Sequence, residues 1–267
     1  MPGRRRKQPG PRFDFGGPFI RSIALRRELV ESFEQYPYSM PAIRSLHSLE
    51  LHPKVTFFVG ENGVGKSTLI EAIAVAAGFN AEGGSKNFSF ETRSSESGLH
   101  GTLRLTRGFP RERDGFFLRA ESVFNVATEI ERLDEGGGGP KVIDQYGGRS
   151  LHEQSHGESF MALALHRFRG NGLYILDEPE AALAPSRQLA MLVIIHQLVT
   201  EADSQFIIAT HSPILMAYPD ATIYHLSAEG GPAPIAYEET EHYRVTRDFL
   251  NDRESYFRHL FSPDDDL

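Results

Sequence analysis

The sequence predicts an α/β fold, with a mainly parallel sheet covered by helices. Short apolar runs of strand length recur at 54–59 (KVTFFV), 173–177 (LYILD) and 205–210 (QFIIAT). They show no polar alternation, which suits strands buried on both faces, and stretches of helical periodicity separate them. Hydrophobic residues make up 40% of the 267 and charged residues 24%, so the chain is globular rather than disordered. A single domain of this size can bury roughly three quarters of its chain surface.

Taken in order, residues 1–14 read as a flexible basic tail. Arg4, Arg5, Arg6, Lys7 and Arg12 lie there among Pro and Gly with no acid before residue 14. Setting those five aside leaves 23 basic against 36 acidic residues, a balance of −13 within an overall charge of −8. Such a body does not grip nucleic acid by bulk charge, and the tail is the one hint of a polyanionic partner. Residues 15–267 are expected to form one domain, with 79–157 as an inserted β and loop region. The strand at 54–59 ends at Gly60, and 68–77 places Leu69, Ile70, Ile73 and Ala77 on one helical stripe, stopped by Gly78. Within the insertion, GTLRLTRG and DGFFLRAESVF read as two β-segments joined by a charged loop, a β-hairpin. Residues 134–150 read as loop around Gly136–Gly139. Helices follow at 158–168 and 186–200, the second preceded by Pro185. Residues 240–261 carry Val245, Phe249, Tyr256 and Leu260 on one face, which predicts an amphipathic helix packed on the body.

Several classes are excluded. There is no cysteine, hence no disulfide scaffold and no thiolate metal site. No apolar run approaches the roughly 18–20 residues that span a bilayer, and no apolar segment follows the N-terminal charge as in a secretory signal, so the expected compartment is the cytoplasm.

Chemistry concentrates in three places. Gly60-Glu61-Asn62-Gly63-Val64-Gly65-Lys66-Ser67-Thr68 fits G-x-x-x-x-G-K-[ST] between a strand and a helix. Glycines let backbone N–H groups converge on phosphate oxygens, and the helix N-terminus faces the same anion. Lys66 brings a positive charge to the β- and γ-phosphates, and the Ser67 hydroxyl suits Mg²⁺. The apolar strand LYILD then ends in Asp177 and Glu178. Adjacent carboxylates at the end of a buried strand need a partner, and nucleotide-bound Mg²⁺ is one. Asp177 is placed on the metal and Glu178 on the attacking water. His211, 34 residues after Asp177, falls at the carboxyl edge of the next strand, where an imidazole can bond the γ-phosphate.

The cradle GENGVGKST, the segment Gln154-Ser155-His156-Gly157-Glu158-Ser159, the run LYILDEPEAAL and ATHSP together resemble the ATP-binding cassette superfamily. They stand in the order of its Walker A loop, signature, Walker B strand and switch histidine. The resemblance runs from about residue 40 to 228. It implies a P-loop NTPase with an ABC-type core and a β-rich and helical insertion. It also implies Mg-dependent ATP hydrolysis in a head-to-tail homodimer that sandwiches two ATP molecules. Ser155 and the Gly157 N–H would then touch the γ-phosphate held by the other subunit. The plain alternative for Ser155 is a helix cap with Glu158 nearby.

The departures point away from a transporter subunit and towards a soluble, stand-alone ATPase of the kind called AAA-family or SMC-like. No glutamine occurs between Ser67 and Gln145, and Asn87 or Glu91 are the candidates to replace it. The signature reads QSHGE where transporter cassettes have LSGGQ, and the acidic loop residue expected after the Walker B strand is missing, the chain reading Ala181-Ala182-Leu183-Ala184 there. The interval of about 87 residues between cradle and signature leaves no room for a long coiled-coil arm. The alternatives are a transporter's ATP-binding subunit, a DNA- or RNA-associated switch, and a nucleotide sensor without hydrolysis. Phe33, Tyr36 and Tyr38 precede the cradle where such proteins place an adenine-stacking ring.

Overall fold

The computed structural model describes residues 17–86, 97–135 and 141–262. The basic tail, Asn87, Glu91 and the Gly136–Gly139 run lie outside the described residues. Nine strands are described: β1 (Ile20–Leu25), β2 (Ser48–Glu50), β3 (Val55–Val59), β4 (Leu103–Arg107), β5 (Asp114–Arg119), β6 (Gly172–Asp177), β7 (Gln205–Ala209), β8 (Thr222–Ser227) and β9 (Gly231–Pro234). The α-helices are α1 (Pro41–Arg44), α2 (Lys66–Ala77), α3 (Val123–Glu135), α4 (His156–Arg167), α5 (Pro185–Glu201), α6 (Pro213–Met216), α7 (Glu241–Asn251) and α8 (Arg253–Leu260).

The main sheet has the order β5-β6-β7-β3-β8-β9, parallel except for β9. Its central strands β3, β6 and β7, and most of β5, are buried on both faces, as their unbroken apolar runs require, whereas β8 and β9 are partly exposed. Phe57, Phe116, Leu118, Tyr174, Leu176, Phe206 and Ile208 face α3, α4 and α5. Phe58, Phe117, Leu173, Ile175 and Ile207 face α2 and a second sheet. That second sheet is antiparallel, in the order β2-β1-β4. The buried Gln205 side chain clips the two sheets together, accepting from Ile20 N at 2.9 Å and donating to Ile20 O at 2.8 Å and His52 O at 3.0 Å.

Two expectations for the inserted region are corrected. The segments read as a hairpin do not pair: β4 joins β1, whereas β5 joins β6 in the main sheet. The reason lies in their faces. β5 carries Phe116 and Leu118 on one side and Phe117 on the other, so it needs cover on both. Only Leu103 of β4 is fully buried, so an outer sheet suffices. Val123 and Phe124, read as strand, open α3, because Val123, Val126, Ala127 and Ile130 form a buried stripe at helical spacing.

The C-terminal amphipathic helix is two helices, broken at Asp252, whose carboxylate caps α8 by accepting from Ser255 N at 3.1 Å. No side chain of either helix is fully buried, and on α7 it is His242 and Tyr243 that reach the body, half-buried against His211 and Tyr237. The bend lets Phe249 meet Tyr256 and Phe257, with ring centroids 5.6 and 5.8 Å apart. Val245, Leu250 and Leu260 remain at least half exposed. Among the described residues no helix is long and apolar enough to cross a membrane.

Candidate active site

The carboxyl ends of β3, β6 and β7 lie side by side, and the loops that leave them form the site. From β3 the chain turns through Gly60–Gly65 into α2. Gly65, at the helix N-cap, has φ +108°, a conformation that strains any side chain. Lys66 is almost fully buried and curls back over the loop. Its Nζ donates to Gly60 O at 2.9 Å and Glu61 O at 2.8 Å. Burial lowers the Lys66 pKa, and the carboxylates of Glu178, Asp177 and Glu180 oppose that shift.

Asp177 ends β6 at 3% exposure. Its carboxylate accepts from the Ser67 hydroxyl, yet Oδ1 is buried without any hydrogen-bond partner. Burial pushes its pKa up to about 6, against the pull of Arg119 and Ser67. An orphaned carboxylate oxygen beside a serine hydroxyl, under a phosphate cradle, fits Mg²⁺, which takes one or two carboxylates and leaves its other positions to phosphate and water. Glu178 has the left-handed backbone φ +48°, ψ +53°. Its N–H is fixed to Ala209 O at 3.0 Å, which sets its carboxylate beside the β7 loop.

His211 approaches from β7, with Nε2 3.6 Å from Glu178 Oε1. Burial first, then the Lys66 charge and His242, bring its pKa down to about 4, so the ring is neutral at pH 7. The four groups Lys66, Asp177, Glu178 and His211 therefore converge.

Ser155 and Gly157 stand apart from this cluster. Ser155 caps α4: its Oγ accepts from Glu158 N, while Glu158 Oε2 accepts from Ser155 N at 2.9 Å and Ser155 Oγ at 2.7 Å. Gly157 packs against Arg187 and Ala182 O so closely that a Cβ there would collide with both. Of the upstream aromatics, Tyr38 bonds Thr102 and meets Phe33 edge-on, and Arg27 covers the Phe33 face at 4.2 Å. Tyr36 is 64% exposed.

Three site residues escaped the sequence reading. Glu180 is buried between the two loops, accepting from Thr210 Oγ1 at 2.7 Å and from His211 N. Burial raises its pKa, and those bonds counter the shift. It is the third acid of Asp177-Glu178-Pro179-Glu180, which was the available signal. The loop it holds is tied on to α5, because Thr210 Oγ1 accepts from Ser212 N and Ser212 Oγ donates to Gln188. Arg119 ends β5 directly beside Asp177 in register. It donates to Glu71 at 2.9 Å and lies 3.4 Å from Asp177 Oδ2. Thus, the interval that lacks a glutamine does supply a group next to Asp177. The third is His242 of α7, 2.8 Å from His211.

A glycine-lined turn from a parallel strand into a helix, with its lysine facing two strand-end carboxylates, defines a P-loop nucleoside triphosphatase. Two family models and one curated relative agree. An AAA-domain family model matches residues 31–158. A second AAA-domain model, whose description also names an AbiEii toxin of Type IV toxin–antitoxin systems, matches 142–217. The thiamine import ATP-binding protein ThiQ of Cereibacter sphaeroides is 30% identical over 171 residues, 58% of this chain and 69% of that protein. Among solved structures, the SMC head domain from Thermotoga maritima aligns with TM-score 0.43 and 16% identity, over 81% of this chain and 98% of that one. CbiO1 from Clostridium perfringens, part of the ABC transporter complex cbiONQ, aligns with TM-score 0.46 and 19% identity, over 81% and 91%. The chain belongs to the ABC/AAA-type P-loop ATPases, a family that binds and hydrolyses ATP, generally with Mg²⁺.

Proposed function

We propose that this protein is a soluble Mg-dependent ATPase whose ATP sites form between two copies of the chain. The observation that carries the reading is the buried, unpartnered Asp177 Oδ1 beside Ser67 and Lys66. Such a carboxylate is costly unless a cation completes it.

ATP phosphates would enter the Gly60–Thr68 loop and exchange places with the two carbonyls that now hold Lys66 Nζ. Ser67 and Asp177 would hold Mg²⁺, which neutralises phosphate charge. Glu178 would accept a proton from the attacking water, and His211 Nε2 would donate to the γ-phosphate. Release of ADP and phosphate follows from in-line attack. In the partner, Ser155 and the Gly157 N–H at the start of α4 would face the same γ-phosphate, as a helix N-terminus faces an anion.

Complementation tests both the chemistry and the dimer. Lys66→Ala and Ser155→Ala should each abolish hydrolysis alone. Mixed, they should regain it, because one of the two composite sites in a mixed dimer is intact. Mixing without recovery rejects the shared site. Glu178→Gln should bind ATP, lose turnover and accumulate as a dimer; unchanged hydrolysis removes Glu178 from its role. The thiamine-import relative favours a second reading, in which the same domain serves a separate membrane subunit. Co-purification with a polytopic membrane protein would decide for it.

A further inference from the structure

His242 is the second residue of α7, yet it lies in the active site. A fixed turn delivers it there. Thr240, almost fully buried, donates through its hydroxyl to Tyr237 O at 2.7 Å. Tyr237 in turn donates its hydroxyl to Pro213 O, two residues beyond His211, at 2.9 Å. The result is a ring-to-ring hydrogen bond, His211 Nδ1 to His242 Nε2, at 2.8 Å.

One proton lies between those two nitrogens, and its owner decides what His211 can do. Burial and the Lys66 charge lower both pKa values, against the pull of Glu241 on His242, and His211, brought down to about 4, is neutral at pH 7. If His211 donated from Nδ1, its Nε2 would carry a bare lone pair. That lone pair would point at Glu178 Oε1, 3.6 Å away, and could only repel it or a phosphate oxygen. If His242 donates from Nε2, His211 accepts at Nδ1 and carries its proton on Nε2. A buried N–H with no other partner then faces Glu178. Electrostatics selects the second arrangement.

We propose that His242 is a positioning residue for ATP hydrolysis: by donating Nε2–H to His211 Nδ1, it holds His211 in the tautomer whose Nε2–H serves the γ-phosphate. This rests on the ATPase reading above. It extends the working site to α7, an element outside the cradle and the strand ends. His242 touches no reacting atom; it acts through His211, as a second ring or carboxylate commonly fixes a working imidazole.

The test compares His242→Leu, which removes the donor, with His242→Gln, whose side-chain amide can donate from nearly the same place. In His242→Leu, kcat should fall roughly 10- to 100-fold with the ATP KM nearly unchanged. His242→Gln should recover most of the loss. Long-range ¹H–¹⁵N correlation on protein labelled at histidine, with His211→Asn to assign the signal, reads the tautomer directly. Wild type should show His211 protonated at Nε2, and His242→Leu a mixture. Wild-type kcat in a folded His242→Leu overturns the proposal, and so does a glutamine variant no better than leucine. A wild-type His211 protonated at Nδ1 overturns it too. Should wild type fail to hydrolyse ATP, the ATPase reading falls while the tautomer spectrum still judges the pairing.

Discussion

Replacing Asp177 by Asn should stabilise the nucleotide-free protein at pH 8 and abolish most of its stabilisation by Mg-ATP. Asp177 is 3% exposed and its Oδ1 has no partner. Burial outweighs the Arg119 and Ser67 contacts and raises its pKa from 3.8 to about 6. An acid with a raised folded pKa makes the folded state bind more protons than the unfolded state between about pH 4 and 6. Stability therefore falls as pH rises through that window, and the whole penalty is present above it. About two pKa units correspond to ~3 kcal/mol. An asparagine carries no charge to desolvate, so a gain of about 1–3 kcal/mol is expected, worth ~2–4 °C per kcal/mol in a chain of this size. Thermal unfolding in EDTA at pH 8 and at pH 4.5 is the assay. The gain should shrink at the lower pH, where the wild-type carboxylate is largely protonated. Adding Mg-ATP at about 100 times its Kd should stabilise wild type by ~2.7 kcal/mol and the variant far less. Equal midpoints at pH 8, or the same gain at both pH values, would refute the argument that a buried charge only partly offset by Arg119 and Ser67 waits there for a cation.

Two further outcomes follow from the same geometry. Glu180→Ala leaves the Thr210 hydroxyl and the His211 N–H without their acceptor. It should cost ~2–4 kcal/mol in urea unfolding and lower kcat as the His211 loop loosens, and a cost below ~0.5 kcal/mol would contradict that role. Gly157→Ala places a Cβ 2.7 Å from Ala182 O and onto the Arg187 guanidinium. It should cost ~1–3 kcal/mol in thermal unfolding, and an unchanged midpoint would show that Arg187 and the Ala182 loop yield freely.

The parts of the site legible in the sequence are those whose chemistry is written in consecutive residues. The cradle from Gly60 to Thr68 is one turn and the start of its helix, and Asp177 ends a strand with Glu178 next to it. His211 was legible because a strand preceded it and the motif order matched. Glu180 was hidden in plain view: as the third acid of a loop, it reads as solvated until Thr210 and His211 close over it from another strand. Arg119 became legible only once β5 left the expected hairpin and took its place beside β6. The amphipathic face of 240–261 was real, but its burial did not follow, because Asp252 caps a second helix and the aromatic residues pack on one another.

By itself the sequence determined the α/β class, the phosphate loop, the carboxylate pair and the histidine, because backbone conformation and local polarity act over a few residues. Tertiary structure decided which buried charges are only partly satisfied and which strands are neighbours. It also brought His242 to His211 across 31 residues. Those outcomes depend on how β5, β6, β7 and α7 converge on one edge, and on burial that strips water from Asp177, Glu180 and His211 together. Desolvation of this kind belongs to the assembled fold, and no stretch of sequence carries it alone.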